Sequence, residues 1–323
     1  MKVKIGIIGV GHLGKIHLKL IKAIPSLELV GFYDINPETS AYVSQTYGVK
    51  SFTNRDALIN AVDAIDIVTP TPTHFECAEA AVRAGKHIFV EKPVTFTIDE
   101  AEALMKLVSE AQIVAQVGHV ERFNPAFLAV VEDLKKPLFI DTQRFAIFNT
   151  RGLDVSVVLD LMIHDLDIVL STIKSPLKKI SASGIAMITE TVDMANARLE
   201  FLNGSVANLS VSRVAVENIR KARFFMHDKL INVDFLNKTS EKYSLANQSA
   251  SSKGVWIPLE MDEQKRGIVI DKPKVVFNNA IEDELSVFAD SIINQTTPTV
   301  SLEDAYNAVV VAHQILEKIN NKL

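Results

Sequence analysis

The sequence predicts an α/β protein of two domains. The first is a doubly wound parallel sheet, and the second is an α+β domain with an open, mostly antiparallel sheet. Over residues 1–118, short apolar β-branched segments alternate with helical patterns, as in a parallel sheet. From residue 119 to residue 323, apolar β-rich segments follow one another with few helices between them. We therefore place the domain boundary between residues 118 and 119. The apolar C-terminal helix after Ser301 has the first domain as one surface on which to pack.

Bulk properties narrow the possible classes of protein. The chain has 323 residues, of which 48% are hydrophobic, enough for two cores. Its net charge of −5 predicts no nucleic-acid partner. Cys77 is the only cysteine, so no internal disulfide is possible, which favours a cytoplasmic protein. The apolar N-terminus is short and broken by glycines, and no apolar run approaches the ~20 residues that cross a bilayer. We expect no membrane partner.

A glycine-rich turn follows the first predicted strand. Residues 9–14 read Gly-Val-Gly-His-Leu-Gly, which matches G-x-G-x-x-G between a strand and an amphipathic helix. This context is the one in which a helix N-terminus binds the diphosphate of a dinucleotide. A glycine turn in some other α/β domain is the alternative. The pattern favours a Rossmann domain. Its predicted diphosphate-binding residues are Gly9, Gly11, His12, Leu13 and Gly14.

The second predicted strand ends in Asp34, about 20 residues after the glycines, where an acidic residue can bind the adenosine ribose hydroxyls. The segment Asp34-Ile35-Asn36 contains no arginine to hold a 2′-phosphate. We therefore expect NAD rather than NADP as the cofactor.

Three polar segments each follow a predicted strand of the first domain: residues 69–74, 91–93 and 118–119. The carboxyl ends of parallel strands meet at one edge of the sheet, so all three segments should face the cofactor crevice. Further cofactor contacts are predicted for Thr69, Pro70, Thr71, His74, Glu91 and Lys92. As an alternative, His74 is an ordinary exposed residue at the start of a helix. We interpret His17 and His87 as structural or surface residues.

Lys92 lies in an unusual strand ending. The apolar segment His87–Val90 stops abruptly at Glu91-Lys92-Pro93. The lysine is either the solvated end of a strand or a group placed at the crevice for chemistry, and its position alone leaves both readings open.

A helix predicted over residues 155–173 is apolar nearly all round but carries Asp160, His164 and Asp167 on one face. An Asp–His bond that stabilises the interior is one interpretation. A carboxylate that orients an imidazole as a general base is another. Two carboxylates and one histidine are too few ligands to predict a metal site.

In combination these features resemble the Gfo/Idh/MocA oxidoreductases. The resemblance rests on GVGHLG, on EKP after a later strand, on GHVERFNP, and on D-x-x-x-H-D-x-D in a helix, and it covers nearly the whole chain. It implies NAD(P)-dependent oxidation of a sugar or polyol by a homodimer or homotetramer that associates through the C-terminal sheet. Residues 149–167 and 212–225 look most like the branch that oxidises the 3-hydroxyl of UDP-N-acetylglucosamine, whose keto product is aminated for diamino-sugar lipid A. The alternatives are a dehydrogenase of a free sugar or inositol, and a non-catalytic NAD-dependent sensor.

The resemblance also implies roles for individual residues. Lys92 matches the family's catalytic lysine, Pro93 its often cis proline, and Asp160 with His164 its catalytic pair. Arg122 and Asn124 match a segment beside the cofactor. Several arginines offer charge for a diphosphate, although each alone is better explained as a surface residue: Arg144, Arg151, Arg213, Arg220 and Arg223. The predicted substrate-binding residues are Lys92, His119, Arg151, Asp160, His164, Arg213 and Arg220.

Overall fold

The structure is a computed structural model. It describes residues 2–149, 155–247, 255–259 and 266–321. Contacts between residues divide the chain into two compact units: Met1–Val120 with Asn279–Val310, and Glu121–Asn278 with Val311–Leu323. Residues 279–310, which we assign to the second domain from the sequence, therefore fall in the first unit.

The first unit contains a five-stranded parallel sheet in the order β2-β1-β3-β4-β5, which confirms the predicted doubly wound architecture. The strands are β1 (Val3–Ile8), β2 (Leu27–Tyr33), β3 (Ala64–Ile67), β4 (His87–Glu91) and β5 (Ala115–Gly118). The helices are α1 (His12–Ala23), α2 (Pro37–Tyr47), α3 (Arg55–Asn60), α4 (His74–Arg83), α5 (Ile98–Ala111) and α8 (Ala280–Asn294).

Capping residues set the starts of two of these helices. The Asn36 side chain accepts the Thr39 N–H before α2, and Pro37 takes the first helical position. Thr97 and Glu100 form the predicted capping box of α5.

Helix α8 belongs to the first unit because it packs against the parallel sheet. Phe288 meets the ring of Phe89 edge-on, with 5.8 Å between the ring centroids. The Gln116 side chain of β5 donates a 2.7 Å hydrogen bond to the Glu284 carbonyl oxygen. Nothing in the local pattern of α8 marks these long-range contacts.

The second unit contains a nine-stranded sheet in the order β13-β14-β12-β11-β10-β6-β9-β8-β7. Neighbouring strands are antiparallel except β6 and β9, which pair in parallel, so the mostly antiparallel sheet is confirmed. The strands are β6 (Phe139–Ile147), β7 (Leu177–Ile185), β8 (Met194–Phe201), β9 (Val206–Ala215), β10 (Ile219–Phe225), β11 (Lys229–Asp234), β12 (Thr239–Asn247), β13 (Val255–Pro258) and β14 (Arg266–Asp271).

Besides α8, the α-helices α6 (Pro125–Leu128), α7 (Ile163–Thr172) and α9 (Leu302–Asn320) follow residue 120, and the division between the units falls within α9. In the second unit, α7 contributes Leu166 and Val169 to a core shared with Phe224 of the sheet. In the described part of the chain, no helix combines the length and the apolar character needed to cross a membrane.

The helix expected over residues 155–173 is not a single α-helix. Residues Val158–Met162 form a π-helix, and the α-helix α7 begins at Ile163. A π-helix inserts an extra residue in the turn, so the angular spacing of Asp160 and His164 differs from that of an ideal α-helix. Side-chain patterns do not reveal this change in hydrogen-bond register.

Candidate functional site

The glycine loop allows close backbone packing between β1 and α1. A Cβ on Gly14 would lie 2.0 Å from the Gly9 carbonyl oxygen, and Gly9 itself has a φ of +90°. Neither position accepts a side chain without movement of the backbone.

The N-terminus of α1 fits a dinucleotide diphosphate. Gly11 is the N-cap, with no side-chain cap and no acidic residue in the first turn. A Cβ on Gly11 would meet no heavy atom within 4 Å, so this side of the loop is open. His12 is exposed and Leu13 is half-buried in the first turn. Backbone N–H groups at the positive end of a helix are suited to bind phosphate.

Asp34 is held rigidly at the end of β2. Its Oδ2 accepts the Val10 N–H at 2.8 Å, and its Oδ1 accepts the Asn36 N–H at 2.9 Å. Each oxygen retains a lone pair that can accept a ribose hydroxyl. Asp34 lines a cavity of about 520 Å³ together with Gly9, Thr69, Pro70 and Ile35. Ile35 is 86% exposed and offers an apolar face to an adenine ring.

Arg55 lines the same cavity, which the sequence did not lead us to expect. Its Nη1 donates a 2.7 Å hydrogen bond to Glu76, and its Nε lies 3.7 Å from Asp56. Two carboxylates, those of Asp56 and Glu76, thus lie beside the guanidinium, and Asp34 lines the same cavity. No local motif marks Arg55, because it meets Glu76 across 21 residues of sequence.

His74 joins the loops that follow β3 and β4. Its ring is 2.8 Å from the Thr69 carbonyl oxygen through Nε2, and 2.8 Å from the Pro93 carbonyl oxygen through Nδ1. Burial lowers the pKa of His74 despite these two backbone hydrogen bonds. His74 is 1% exposed, so the alternative of an exposed residue at a helix start is wrong. Thr71 begins the 3-10 turn that precedes α4.

Lys92 is half-buried at the end of β4, and the Lys92–Pro93 peptide bond is cis. Its N–H donates a 3.1 Å hydrogen bond to Oε2 of Glu91. The other Glu91 oxygen lies 3.3 Å from Nε2 of His17, whose Nδ1 is 3.0 Å from Asp66. His17 is 0% exposed, so it is a buried residue and not a surface one.

His119 follows β5 and is 1% exposed. Its N–H donates a 2.8 Å hydrogen bond to the Val117 carbonyl oxygen. A contact between His119 and substrate stays a prediction.

In the second unit, Asp167 lies in a different environment from Asp160 and His164. Asp160 of the π-helix and His164 of α7 are half-buried. Asp167 is 1% exposed and accepts hydrogen bonds of 2.7 and 2.8 Å from Arg122. Asp167 therefore does not extend the half-buried face that carries Asp160 and His164. The roles of Asp160, His164 and Arg122 at the substrate or cofactor stay predictions.

A second buried ion-pair network joins α7 to β6 and to Glu121. Arg144 donates to Asp165 at 2.9 and 3.1 Å and to Glu121 at 2.9 Å. Burial raises the pKa of Asp165, and the charge of Arg144 opposes this shift. The buried guanidinium of Arg144 is paired with the carboxylates of both Asp165 and Glu121, so its charge is already balanced within the protein. Arg144 is thus not an exposed cation for a diphosphate.

The other predicted arginines differ in exposure. Arg213 is 5% exposed, and its Nη2 donates a 2.6 Å hydrogen bond to the Val155 carbonyl oxygen. Arg223 pairs with Asp141 at 2.5 Å. Arg220 is exposed on β10, and Arg151 lies outside the described residues. Substrate contacts for Arg151, Arg213 and Arg220 stay predictions.

Asn124 is engaged by the protein. Its Oδ1 accepts the Ala126 N–H at the start of α6, and its Nδ2 donates to the Glu121 carboxylate and to the Phe235 carbonyl oxygen.

Models of the same protein family match both the N-terminal and the C-terminal part of the chain. Residues 3–119 match the oxidoreductase family with an NAD-binding Rossmann fold, and residues 133–227 match the GFO/IDH/MocA C-terminal domain. A UDP-N-acetylglucosamine 3-dehydrogenase of Acidithiobacillus ferrooxidans is 41% identical over 299 residues, covering 92% of this chain and 95% of the relative. A solved structure of the UDP-N-acetylglucosamine 3-dehydrogenase from that organism superposes with a TM-score of 0.90 at 33% identity, covering 99% of this chain and 98% of the other.

A more distant relative is the scyllo-inositol 2-dehydrogenase (NAD(+)) of Bacillus subtilis, 26% identical over 328 residues that cover 94% of this chain and 90% of the relative. The parallel sheet and the nine-stranded sheet thus both lie within regions that these relatives match. The chain belongs to the GFO/IDH/MocA family of NAD-binding oxidoreductases.

Proposed function

We propose that this chain is an NAD-dependent dehydrogenase that oxidises the 3-hydroxyl of UDP-N-acetylglucosamine to the 3-keto sugar. The observation that carries the proposal is the 41% identity to a UDP-N-acetylglucosamine 3-dehydrogenase over nearly the whole of both chains. The 3-keto product is an acceptor for an amine, so an amination reaction is the expected next step.

The cofactor supplies a hydride acceptor at C4 of its nicotinamide. In this proposal, the backbone of residues 9–14 binds the diphosphate and Asp34 binds the adenosine ribose. The carboxylates of Asp34, Asp56 and Glu76 at one cavity support NAD over NADP, because they repel a 2′-phosphate.

Lys92 is the proposed electrostatic catalyst. Its ammonium would donate a hydrogen bond to the reacting hydroxyl oxygen and stabilise the alkoxide that develops as hydride leaves. Glu91 is assigned no chemical step, since its two oxygens are occupied by the Lys92 N–H and by His17.

His164 is the proposed proton acceptor, with Asp160 as its orienting carboxylate. As a neutral imidazole it would take the hydroxyl proton during hydride departure. The half-buried position of both residues supports the assignment, because a general base needs access to substrate and partial shelter from water.

The chain is further proposed to act as a homodimer or homotetramer in the cytoplasm. Apolar side chains exposed on four strands of the nine-stranded sheet support association through it: Ile185, Met194, Leu245 and Ile257. The single cysteine, Cys77, supports the compartment.

The second candidate is a dehydrogenase of a free sugar or inositol, which the relationship to an inositol dehydrogenase favours. The test measures NADH formation by the purified protein with UDP-sugars, free hexoses and inositols. We expect turnover with UDP-N-acetylglucosamine and at least ~100-fold lower kcat/KM for N-acetylglucosamine, because the nucleotide contributes binding energy to the transition state. Turnover of free sugars or inositols alone would select the second candidate. No turnover with any of them, together with NAD binding, would favour a sensor.

A further inference from the structure

Four ionisable side chains form a buried cluster next to the backbone of Lys92. They come from four elements of the first unit: His17 of α1, Asp66 of β3, Glu91 of β4 and Glu284 of α8. The exposed fraction is 0% for His17, Asp66 and Glu284, and 8% for Glu91. We call this set the His17 cluster. Buried charges are costly unless they are paired, so this arrangement calls for an explanation.

His17 lies between two carboxylates. Its Nδ1 is 3.0 Å from Oδ2 of Asp66, and its Nε2 is 3.3 Å from Oε1 of Glu91. Burial opposes the charged imidazolium, but Asp66 first and then Glu91 outweigh it and raise the pKa of His17 well above its ordinary value. The two carboxylates therefore favour the imidazolium form of His17.

Glu91 connects His17 to Lys92, because one of its carboxylate oxygens faces each residue. Burial opposes its ionisation, but the hydrogen bond and charge of His17, and then the charge and N–H of Lys92, lower the pKa of Glu91. Its Oε2 accepts the Lys92 N–H at 3.1 Å. A Cβ on Gly118 would lie 2.7 Å from Oε1, so β5 leaves room for the Glu91 carboxylate only because residue 118 is glycine.

Glu284 is the fourth member of the cluster, and its surroundings favour the neutral acid. Both carboxyl oxygens are buried with no hydrogen-bond partner among the described residues. Burial, with a further contribution from the charge of Glu91, raises the pKa of Glu284 well above its ordinary value. A second anion beside Glu91 would compete for His17, so protonation of Glu284 leaves the cation paired with Glu91 and Asp66.

We propose that His17 is a positioning residue for the dehydrogenase reaction: it orients the Glu91 carboxylate, which holds the backbone of Lys92. The inference rests on the role proposed above for Lys92. His17 lies one turn after Gly14 on α1, the helix whose N-terminus forms the predicted diphosphate site. The cluster thus ties the cofactor-binding helix to the end of β4.

The kinetic test is a double-mutant cycle of His17→Gln and Glu91→Gln, assayed with UDP-N-acetylglucosamine. Each single variant is expected to lower kcat by at least about tenfold, since small misplacements at a reacting centre have effects of this size. The kcat of the double variant should be about as low as that of the more impaired single variant, because both substitutions break the same chain of contacts. His87→Gln is the matched control, at the start of the same strand β4, and should stay within about twofold of the parent.

A second measurement does not depend on the substrate. With ¹⁵N-lysine labelling, the amide signal of Lys92 is identified by its absence in Lys92→Met. We expect His17→Gln to increase hydrogen exchange at this amide by at least about tenfold, since its hydrogen bond to Glu91 loosens. His87→Gln should leave the exchange unchanged. In a separate sample labelled with ¹⁵N-histidine, the ring ¹⁵N shifts of His17 should report an imidazolium at neutral pH.

The outcomes separate the two proposals. No turnover of UDP-N-acetylglucosamine by the parent defeats the proposed function, while exchange at the Lys92 amide still decides the role of His17. Unchanged exchange in His17→Gln overturns the positioning role, as do multiplicative kcat losses in the cycle. One possible ligand atom from each of His17, Glu91 and Glu284 lies within 4.8 Å of the other two, a spacing that a metal ion can bridge. A neutral His17 with a stoichiometric metal in the purified protein would also overturn the inference.

Discussion

The guanidinium of Arg122 donates two parallel hydrogen bonds, of 2.7 and 2.8 Å, to the carboxylate of Asp167. The pair holds α7, the helix that carries His164, against the short 3-10 turn Val120–Phe123. Side-chain exposure is 12% for Arg122 and 1% for Asp167, so solvent screens the pair little.

We therefore expect Asp167→Asn to lower the free energy of unfolding by about 3 kcal/mol, because it leaves a buried charge without its carboxylate. Urea unfolding of the purified protein measures the change. Glu200→Gln breaks the more exposed Arg198–Glu200 pair and should cost less than about 1 kcal/mol. Equal losses in the two variants would show that the Arg122–Asp167 pair does not stabilise the second unit.

Glu76 is expected to control the choice between NAD and NADP. It occupies the Arg55 guanidinium at the cavity beside Asp34. In Glu76→Gln the guanidinium becomes available to a 2′-phosphate, so kcat/KM for NADP should rise about tenfold. The matched control is Glu79→Gln, on the same helix but paired with Arg83. A cofactor preference that is equal in the two variants would contradict this role of Glu76.

Gly11 should separate cofactor binding from stability. Since a Cβ there meets no protein atom within 4 Å, Gly11→Val should shift the Tm by no more than about 2 °C. The added methyl groups would occupy the space predicted for the diphosphate, so the Kd for NAD should rise at least about 30-fold. Calorimetric titration with NAD measures the affinity. Tight NAD binding by Gly11→Val would place the diphosphate elsewhere.

Glu284 should make the protein less stable as the pH rises. Burial raises the pKa of Glu284 in the folded state, so the folded protein keeps a proton that the unfolded chain releases above about pH 4.5. The free energy of unfolding contributed by this group therefore falls from about pH 4.5 upward until the folded-state pKa is passed. His17 acts with the same sign, but only from about pH 6.5 upward.

Glu284→Gln removes the ionisation and should raise the Tm at pH 8 by about 2 °C or more, with a smaller change at pH 5. Thermal unfolding at the two pH values gives the comparison. Glu282→Gln, two residues earlier on α8, is the control and should not alter the pH dependence. A Glu284→Gln variant that loses stability equally at both pH values would refute a neutral, buried Glu284.

Local sequence patterns were sufficient for the elements that begin with a cap or end in a turn. The Gly9–Gly14 loop, the capping box at Thr97 and the alternation of strands and helices are encoded within a few residues of each other. The parallel, doubly wound type of the first sheet followed from the alternation of strands and helices. Asp34 was recognisable because its distance from the glycines is a property of the βαβ unit.

Long-range contacts account for what the sequence did not reveal. His17, Asp66, Glu91 and Glu284 meet only because three elements, α1, β3 and α8, come together around β4. Glu91 is recognisable from the EKP motif, whereas His17, Asp66 and Glu284 each read as an ordinary helix or strand residue. Arg144 and Asp165 likewise read as surface charges until the fold buries them as a pair. The π-helix of residues 158–162 depends on backbone register, which an apolar segment does not display.

The most direct test of the central claim compares Lys92→Met with the parent in NADH formation from UDP-N-acetylglucosamine, with the Kd for NAD measured on both proteins. We expect the parent to turn over this substrate. Lys92→Met should lose at least about 1,000-fold in kcat and retain NAD affinity within about threefold, because the ammonium acts on the developing alkoxide. Turnover by Lys92→Met within tenfold of the parent would contradict the role of Lys92 as the residue that stabilises the alkoxide.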